Sequence, residues 1–368
     1  MLLTSRLSKS LEGKLAKASN PIERACIRAE QAILLMRHGR LPEAREVLTE
    51  LHAQAFQYPN PALGAWLHLS EGLMSYYTDF GSSALEKVLR AHAISRSADM
   101  KPMQALSAAW LAHIYFATHE VEAMAQYLTE ALSLAESDHH SARSRASLVV
   151  AQSYHFADRM EQANHWYARA RNHAHEQGDD ATLSHLIYNM AALRTAQARR
   201  GDVTGQVGGG EHGLLLGADS VQHYDAAVGG SALSELFHIL RAQVLVVQGD
   251  FKAAQAMFEA HLPQVMSMGL ARLGSSLLSD LAWCRVNNGQ AEQALSQARQ
   301  AEVELDTDCE IDDRALTHAR LAQVYAKLGD VAASQRHAQS AEAAWLEFSK
   351  EQERWSKALD QALSGLPT

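Results

Sequence analysis

One pattern of apolar and polar positions recurs along the chain. An apolar residue, an alanine, two variable positions and an aromatic close one helix. A short turn rich in Gly and Asp follows, and then a second helix that contains Ala. The turns fall at Gly39-Arg40, Phe80-Gly81, His119-Glu120, Asp158-Arg159, Gly249-Asp250, Gly289-Gln290 and Gly329-Asp330. Gly249, Gly289 and Gly329 are 40 residues apart, and His119 and Asp158 are 39 apart. A constant period of this size predicts a stack of helix pairs. A small residue lies seven positions before each turn, or eight at Gly72, as Ala32, Gly72, Ala112, Ala151, Ala242, Ala282 and Ala322. Another lies five after, or four at Ala84, in five of the turns, as Ala44, Ala84, Ala163, Ala254 and Ala294. Antiparallel helices joined by a tight turn approach best where neither presents bulk, and a glycine supplies the left-handed residue that ends the first helix.

The pattern predicts helix pairs over 22–55, 61–98, 102–137, 141–177, 180–225, 231–268, 271–304 and 312–349. Pro21, Pro61, Pro102 and Pro42 stand near helix starts, where a missing N–H costs little. Pro263 falls inside a second helix, where a kink is expected. Residues 1–20 read as an amphipathic helix or an arm, 21–200 as N-terminal repeats, and 231–349 as C-terminal repeats. Residues 201–230 read as an irregular Gly-rich segment, because a glycine-dense run makes a poor helix. In 350–368, Trp355, Leu359 and Leu363 at helical spacing suggest a capping helix and tail.

The small-residue, aromatic, turn, alanine order resembles the tetratricopeptide repeat. Leu111-Ala112-x-x-Tyr115 with Ala123, and Leu321-Ala322-x-x-Tyr325 with Gly329-Asp330, carry the likeness best. It covers most of 22–349 and is weakest around 200–230. The period exceeds the usual one of about 34 residues. Repeats of this length are similar to those in bacterial regulatory proteins, including repeat halves of diguanylate cyclases and transcription activators. The resemblance implies an all-α, right-handed superhelix (an α-solenoid) whose first helices line a concave groove.

Composition agrees with helix. The 368 residues are 47% hydrophobic with only 7 prolines, and Ala, the best helix former, is abundant. Few runs are rich in Val, Ile and Thr, so sheet is not expected. The net charge of −9 argues against a nucleic-acid backbone binder. Cys26, Cys284 and Cys309 are far apart and form no Cys-x-x-Cys, which suggests reduced thiols in the cytoplasm. No evident signal sequence or membrane span is read.

Candidate chemistry is sparse. Gly208-Gly-Gly210-Glu-His-Gly213 matches G-x-G-x-x-G in letters only, since that motif must follow a strand and here follows a helix. His139-His140 and His173-x-His175 lack a metalloprotease pattern, so no metal is expected. The acidic run Asp306–Asp313 lacks the glycine and terminal glutamate of a calcium loop. The six tryptophans are dispersed and read as packing residues. No nucleophile with its base is evident, and neither an enzyme nor a cofactor is expected; an enzyme would require a pocket with paired, perturbed carboxylates or histidines. What remains is the groove. His113, Phe116, Arg145, Gln152, His155, Tyr188, Asn189, Gln243 and Gln323 are its candidate peptide-binding residues. Gln152, Gln243 and Gln323 share one repeat position, and amides there suit a peptide backbone. Arg145 and Asn189 resemble part of a carboxylate clamp whose full Lys/Asn/Arg set is missing. The expected function is a non-catalytic scaffold for a protein or peptide segment. The alternative is a sensory input module that changes shape on effector binding. A homodimer is left open, through terminal repeats or the Gly-rich segment.

Overall fold

The computed structural model describes residues 5–79, 83–205, 213–227, 234–267, 274–305 and 309–366. Among the described residues the protein is all-α, with no strand. Helix α1 (Arg6–Lys17) precedes eight successive pairs. These are α2 (Pro21–Arg37) with α3 (Leu41–Gln57), α4 (Pro61–Asp79) with α5 (Ser83–Ser97), α6 (Lys101–Ala117) with α7 (Val121–Leu134), and α8 (His140–Phe156) with α9 (Met160–Gln177). Then come α10 (Asp180–Thr204) with α11 (Leu214–Ala227), α12 (Ser234–Val247) with α13 (Phe251–Val265), α14 (Gly274–Asn287) with α15 (Ala291–Val303), and α16 (Ile311–Leu328) with α17 (Val331–Leu363). Neighbouring helices pack in adjacent pairs, the architecture of an α-solenoid.

The turns show why the period holds. Gly39, Gly249, Gly289 and Gly329 have φ between 78 and 83°, and His119 and Asp158 take the same left-handed conformation at 58°. In each, the N–H of the following residue reaches back to a carbonyl of the closing helix, as Arg40 N to Leu35 O at 2.9 Å and Arg159 N to Tyr154 O at 2.8 Å. This is the bond that ends a helix at a left-handed residue. Asp250 and Asp330 then accept from the N–H groups of Ala253 and Ala333, capping the next helix. The small residues at the paired positions are enclosed: Ala32, Ala112, Ala151, Ala44, Ala163 and Ala254 have no exposed surface. Gly72 is the tightest case, because a Cβ there would lie 2.6 Å from Val88 Cγ2 and 3.1 Å from the Ala84 carbonyl. The Phe80-Gly81 turn lies outside the described residues.

The chain divides into two compact units. The first comprises Met1–Leu186, Tyr224–Leu233 and Glu353–Thr368, and the second Ile187–His223 and Ser234–Gln352. In the first, α1 is a docked helix: Leu7 and Leu11 bury against Leu34 and Ala181. Its main core runs through α2 to α8. Residues 353–366 also belong to this unit. Their apolar stripe covers the third and fourth pairs, with Trp355 and Leu359 fully buried. Trp355 meets Phe116, His119 and Phe156 at ring separations of 5.5, 5.6 and 4.9 Å. Tyr154 donates to Asp360 at 3.0 Å, Arg159 to Ser356 at 2.7 Å, and Thr129 to the Ala362 carbonyl at 3.1 Å.

In the second unit the core spans α12 to α17. A buried ionic network lies beside it. Arg199 donates to Asp280 at 2.9 Å and to Ser276 at 2.9 Å. Arg320, with no exposed surface, donates to Asp280 at 3.0 Å, to Asp202 at 2.6 Å and to Gln323 at 2.7 Å. This network bears on a departure from the sequence reading. The reading of 201–230 as irregular gives way to helix in α11 (Leu214–Ala227), and α10 continues past Gly201 to Thr204. The Asp202–Arg320 bond ties that extra turn to α16, against the ~1 kcal/mol that a helical glycine costs. Residues 206–212, which carry most of the glycine motif, lie outside the described residues. Pro263 sits inside α13, which continues to Val265.

Candidate functional site

First helices of five consecutive pairs converge on one cavity in the first unit. Its empty space of about 450 Å³ includes open solvent, and the centre of a water-sized sphere can occupy only about 30 Å³ of it. Helix α2 contributes Glu30 and Arg37, α4 Trp66, α6 Trp110, and α8 Ser141 and Arg145. Asp179, just before α10, and Thr182 in its first turn complete the polar lining.

Two arginines enter this cavity and they differ. Arg37 is committed: it ion-pairs with Asp179 and donates to the Thr182 hydroxyl at 2.9 Å. Asp179 also accepts from the Thr182 N–H at 3.0 Å and hydroxyl at 2.7 Å, which makes it the N-cap of α10. Burial alone would raise the Asp179 carboxyl, but Arg37 and the Thr182 bonds outweigh it and hold the group below its ordinary value. Arg145 has a different setting. It is 8% exposed, and its guanidinium carbon lies 3.8 Å from the centre of the Trp110 ring, a close cation–π contact. Among the described residues no carboxylate stands within ion-pair distance of it. Burial lowers its pKa, partly offset by the neighbouring Tyr77 hydroxyl.

The surrounding groups are pushed toward neutrality. Burial raises the Glu30 carboxyl, and Asp179 adds to this against Lys14 and Arg37. Burial, aided by Arg145 and Arg37 and opposed by the bond of Nδ1 to the Ala181 carbonyl at 2.8 Å, lowers His185 to about 4. His113 lies well below its ordinary value through burial, Arg145 and His185, and its Nε2 meets the Tyr76 hydroxyl at 2.9 Å. Tyr76, Tyr77, Trp110 and His113 form an edge-to-face cluster beneath Arg145, with ring separations of 5.4–6.3 Å.

The residues named from sequence separate by unit. Arg145 lines the cavity and His113 supports its floor. Phe116 lies under Trp355. Gln152 and His155 are buried in α8; the Gln152 carbonyl oxygen has no partner among the described residues, and His155 Nδ1 faces Tyr167 at 3.4 Å. Tyr188 and Asn189 on α10, Gln243 on α12 and Gln323 on α16 belong to the second unit. Burial pushes Tyr188 up to about 12, and Gln323 accepts from Arg320 in the ionic network. Arg145 and Asn189 are thus in different units. Trp66 and Trp110 are at once packing residues and cavity walls. Sequence reasoning missed Arg37, Glu30, Asp179 and Thr182. Arg37 and Asp179 are 142 positions apart, and neither stands in a motif.

Other candidate clusters carry less. His140 and His173 bring their Nδ1 atoms to 3.1 Å, so one ring donates to the other. Among the described residues the one group of three metal-ligand donors within 4.8 Å is Glu310, Asp312 and Asp313. It lies at the start of α16, with Asp312 and Asp313 in the first turn, and burial with Asp312 and Glu310 raises Asp313 to about 7. Asp306 and Asp308 lie outside the described residues. Burial pushes the Cys26 and Cys309 thiols up to about 11, away from nucleophilic thiolate. Among the described residues no helix is long and apolar enough to cross a membrane. The chain matches no family model and no curated protein.

Proposed function

We propose that the chain is a non-catalytic binding module of tetratricopeptide-like type, whose first unit receives a peptide or a segment of a partner protein in the cavity around Arg145. The observation that carries this reading is the convergence of five successive first helices on one aromatic-walled, polar cavity. Mostly apolar concave sites with a few fixed polar groups are the usual form of a recognition pocket. Glu30 and Asp179 titrate in opposite directions, the pattern of an acid–base pair, and this is the one feature that favours catalysis. Asp179 is engaged, however: both its oxygens accept bonds from Arg37 and Thr182, which does not favour it as a base. Burial holds the Cys26 thiol away from thiolate, and His113 and His185 pack among the tyrosine and tryptophan rings. The acidic net charge of −9 fits a cytoplasmic protein partner better than nucleic acid.

A random dodecamer display library panned on the full chain tests the reading. Enriched peptides should bind the wild type and lose binding to Ser141→Trp, a half-buried mouth position where an indole would fill the cavity. Enriched peptides that bind the folded Ser141→Trp variant equally well would place recognition elsewhere and refute it.

A further inference from the structure

The charges around this cavity do not balance. Arg37 and Asp179 neutralise each other. Burial drives Glu30 toward its protonated form, and His113 and His185 toward their neutral forms. That leaves the Arg145 guanidinium, 8% exposed, without a carboxylate within ion-pair distance among the described residues. A buried cation without a partner is costly, and structures keep one where a counter-charge arrives from outside. The geometry prepares that arrival. The guanidinium carbon lies 3.8 Å from the centre of the Trp110 ring and Tyr77 takes one hydrogen bond from the group, which leaves others of its five N–H donors for a two-pronged bond to an oxyanion. Ser141, at the half-buried mouth, offers a hydroxyl. Trp66 and Trp110 give apolar surface for whatever carries the charge.

We propose that the cavity binds a single oxyanion group, a carboxylate or phosphate, through Arg145 on its Trp110 platform. This rests on the reading of the cavity as the recognition site, and it adds the chemistry of what is recognised. The ligand is a free small anion or the charged end of a peptide, and these share one mode of capture.

The test is thermal unfolding of the full chain in acetate, phosphate or chloride at equal ionic strength, and with trialanine as free acid or C-terminal amide. Arg145→Met and Arg145→Lys run alongside. At ten times its Kd, a bound anion should raise the wild-type Tm by roughly 3–5 °C over chloride. Arg145→Met should lose this response and, in chloride, melt no lower than the wild type, since an unpaired buried charge has gone. Arg145→Lys keeps charge without the fork, and should fold normally with at least tenfold weaker binding; it carries the test if the Met variant does not fold. A response to trialanine acid and not to its amide identifies a peptide end. A response to acetate or phosphate alone identifies a free anion, and supports the oxyanion site while removing the peptide reading. Overturning results are a wild type that treats every anion like chloride, or an Arg145→Met variant that keeps the response. If the enriched dodecamers bind Arg145→Met as tightly as the wild type and Ser141→Trp still blocks them, the oxyanion proposal falls and the peptide reading stands.

Discussion

Replacing Trp355 with alanine removes the centre of the contact between residues 353–366 and the third and fourth pairs. The indole has no exposed surface and touches Phe116, His119 and Phe156. Burial of about 200 Å² at ~25 cal/mol/Å² gives ~5 kcal/mol. Core Trp→Ala changes of this kind cost ~3–5 kcal/mol. The polar ties that remain, Tyr154–Asp360, Arg159–Ser356 and the exposed Arg354–Glu122 pair, contribute about 1 kcal/mol each at most. The population with this segment undocked should therefore rise on the order of 10²–10³-fold. Limited trypsinolysis reads it directly, because Arg354 and Lys357 are cleavable once the helix opens, and cleavage follows the open population when closing is fast. Leu346→Ala, at a 61% exposed position on the same helix, is the control and should change cleavage less than about threefold. If Trp355→Ala is cleaved at 354 and 357 within threefold of the wild-type rate, the segment is not held by this indole and the argument fails.

Three further outcomes follow from the same contacts. Asp280→Ala removes the carboxylate that two buried guanidiniums share, leaving Arg320 with the Asp202 carboxylate alone, and should destabilise the second unit by ~3–5 kcal/mol in urea unfolding, whereas replacing Arg199, Asp280 and Arg320 together with apolar residues should recover most of that loss; an Asp280→Ala midpoint equal to wild type would show the network to be inert. Stability should fall as pH drops from 6.5 to 4, because the unfolded chain takes up a proton at His185 that the fold, with its pKa of about 4, refuses; the loss is at most ~3 kcal/mol and smaller for the part of the ring open to water. His113 acts in the same sense, so His185→Gln should reduce the slope of the urea midpoint over that window without abolishing it, and an unchanged slope would contradict the assignment. Gly72→Ala should cost ~1–3 kcal/mol through the 2.6 Å approach to Val88, and a thermal scan that shows no loss would mean that α4 and α5 separate freely.

The repeat was readable in the sequence because its causes are local. A left-handed glycine, a cap and a small residue each act within a few positions, so Gly249, Gly289 and Gly329 mark their turns without knowledge of the rest. Arg145 was readable as a polar residue on a first helix. Its defining property was not, because it consists of what stands beside it: Trp110 beneath, and Arg37 already taken by Asp179. The same holds for Asp280 between Arg199 and Arg320, and for the Trp355 stripe. Helical spacing announced that stripe's apolar face, while its partners sit nearly 200 positions earlier. Local rules write the helices; pairings across such separations depend on how the pairs stack.

The docking of residues 353–366 also sets a clock on synthesis. Arg159 and Ser356, which bond in the finished unit, are 197 residues apart. At 5–20 residues per second a ribosome takes roughly 10–40 s to travel between them. Throughout that interval the third and fourth pairs lack their cover, and Phe116 and Phe156 stand open. His119 meanwhile holds a left-handed turn, at a cost of about 1–2 kcal/mol, without the indole that it later packs against. The nascent first unit is thus an unfinished surface on a growing chain, sticky to chaperones and to its neighbours on the same message, and it is sealed only when residues 353–366 emerge.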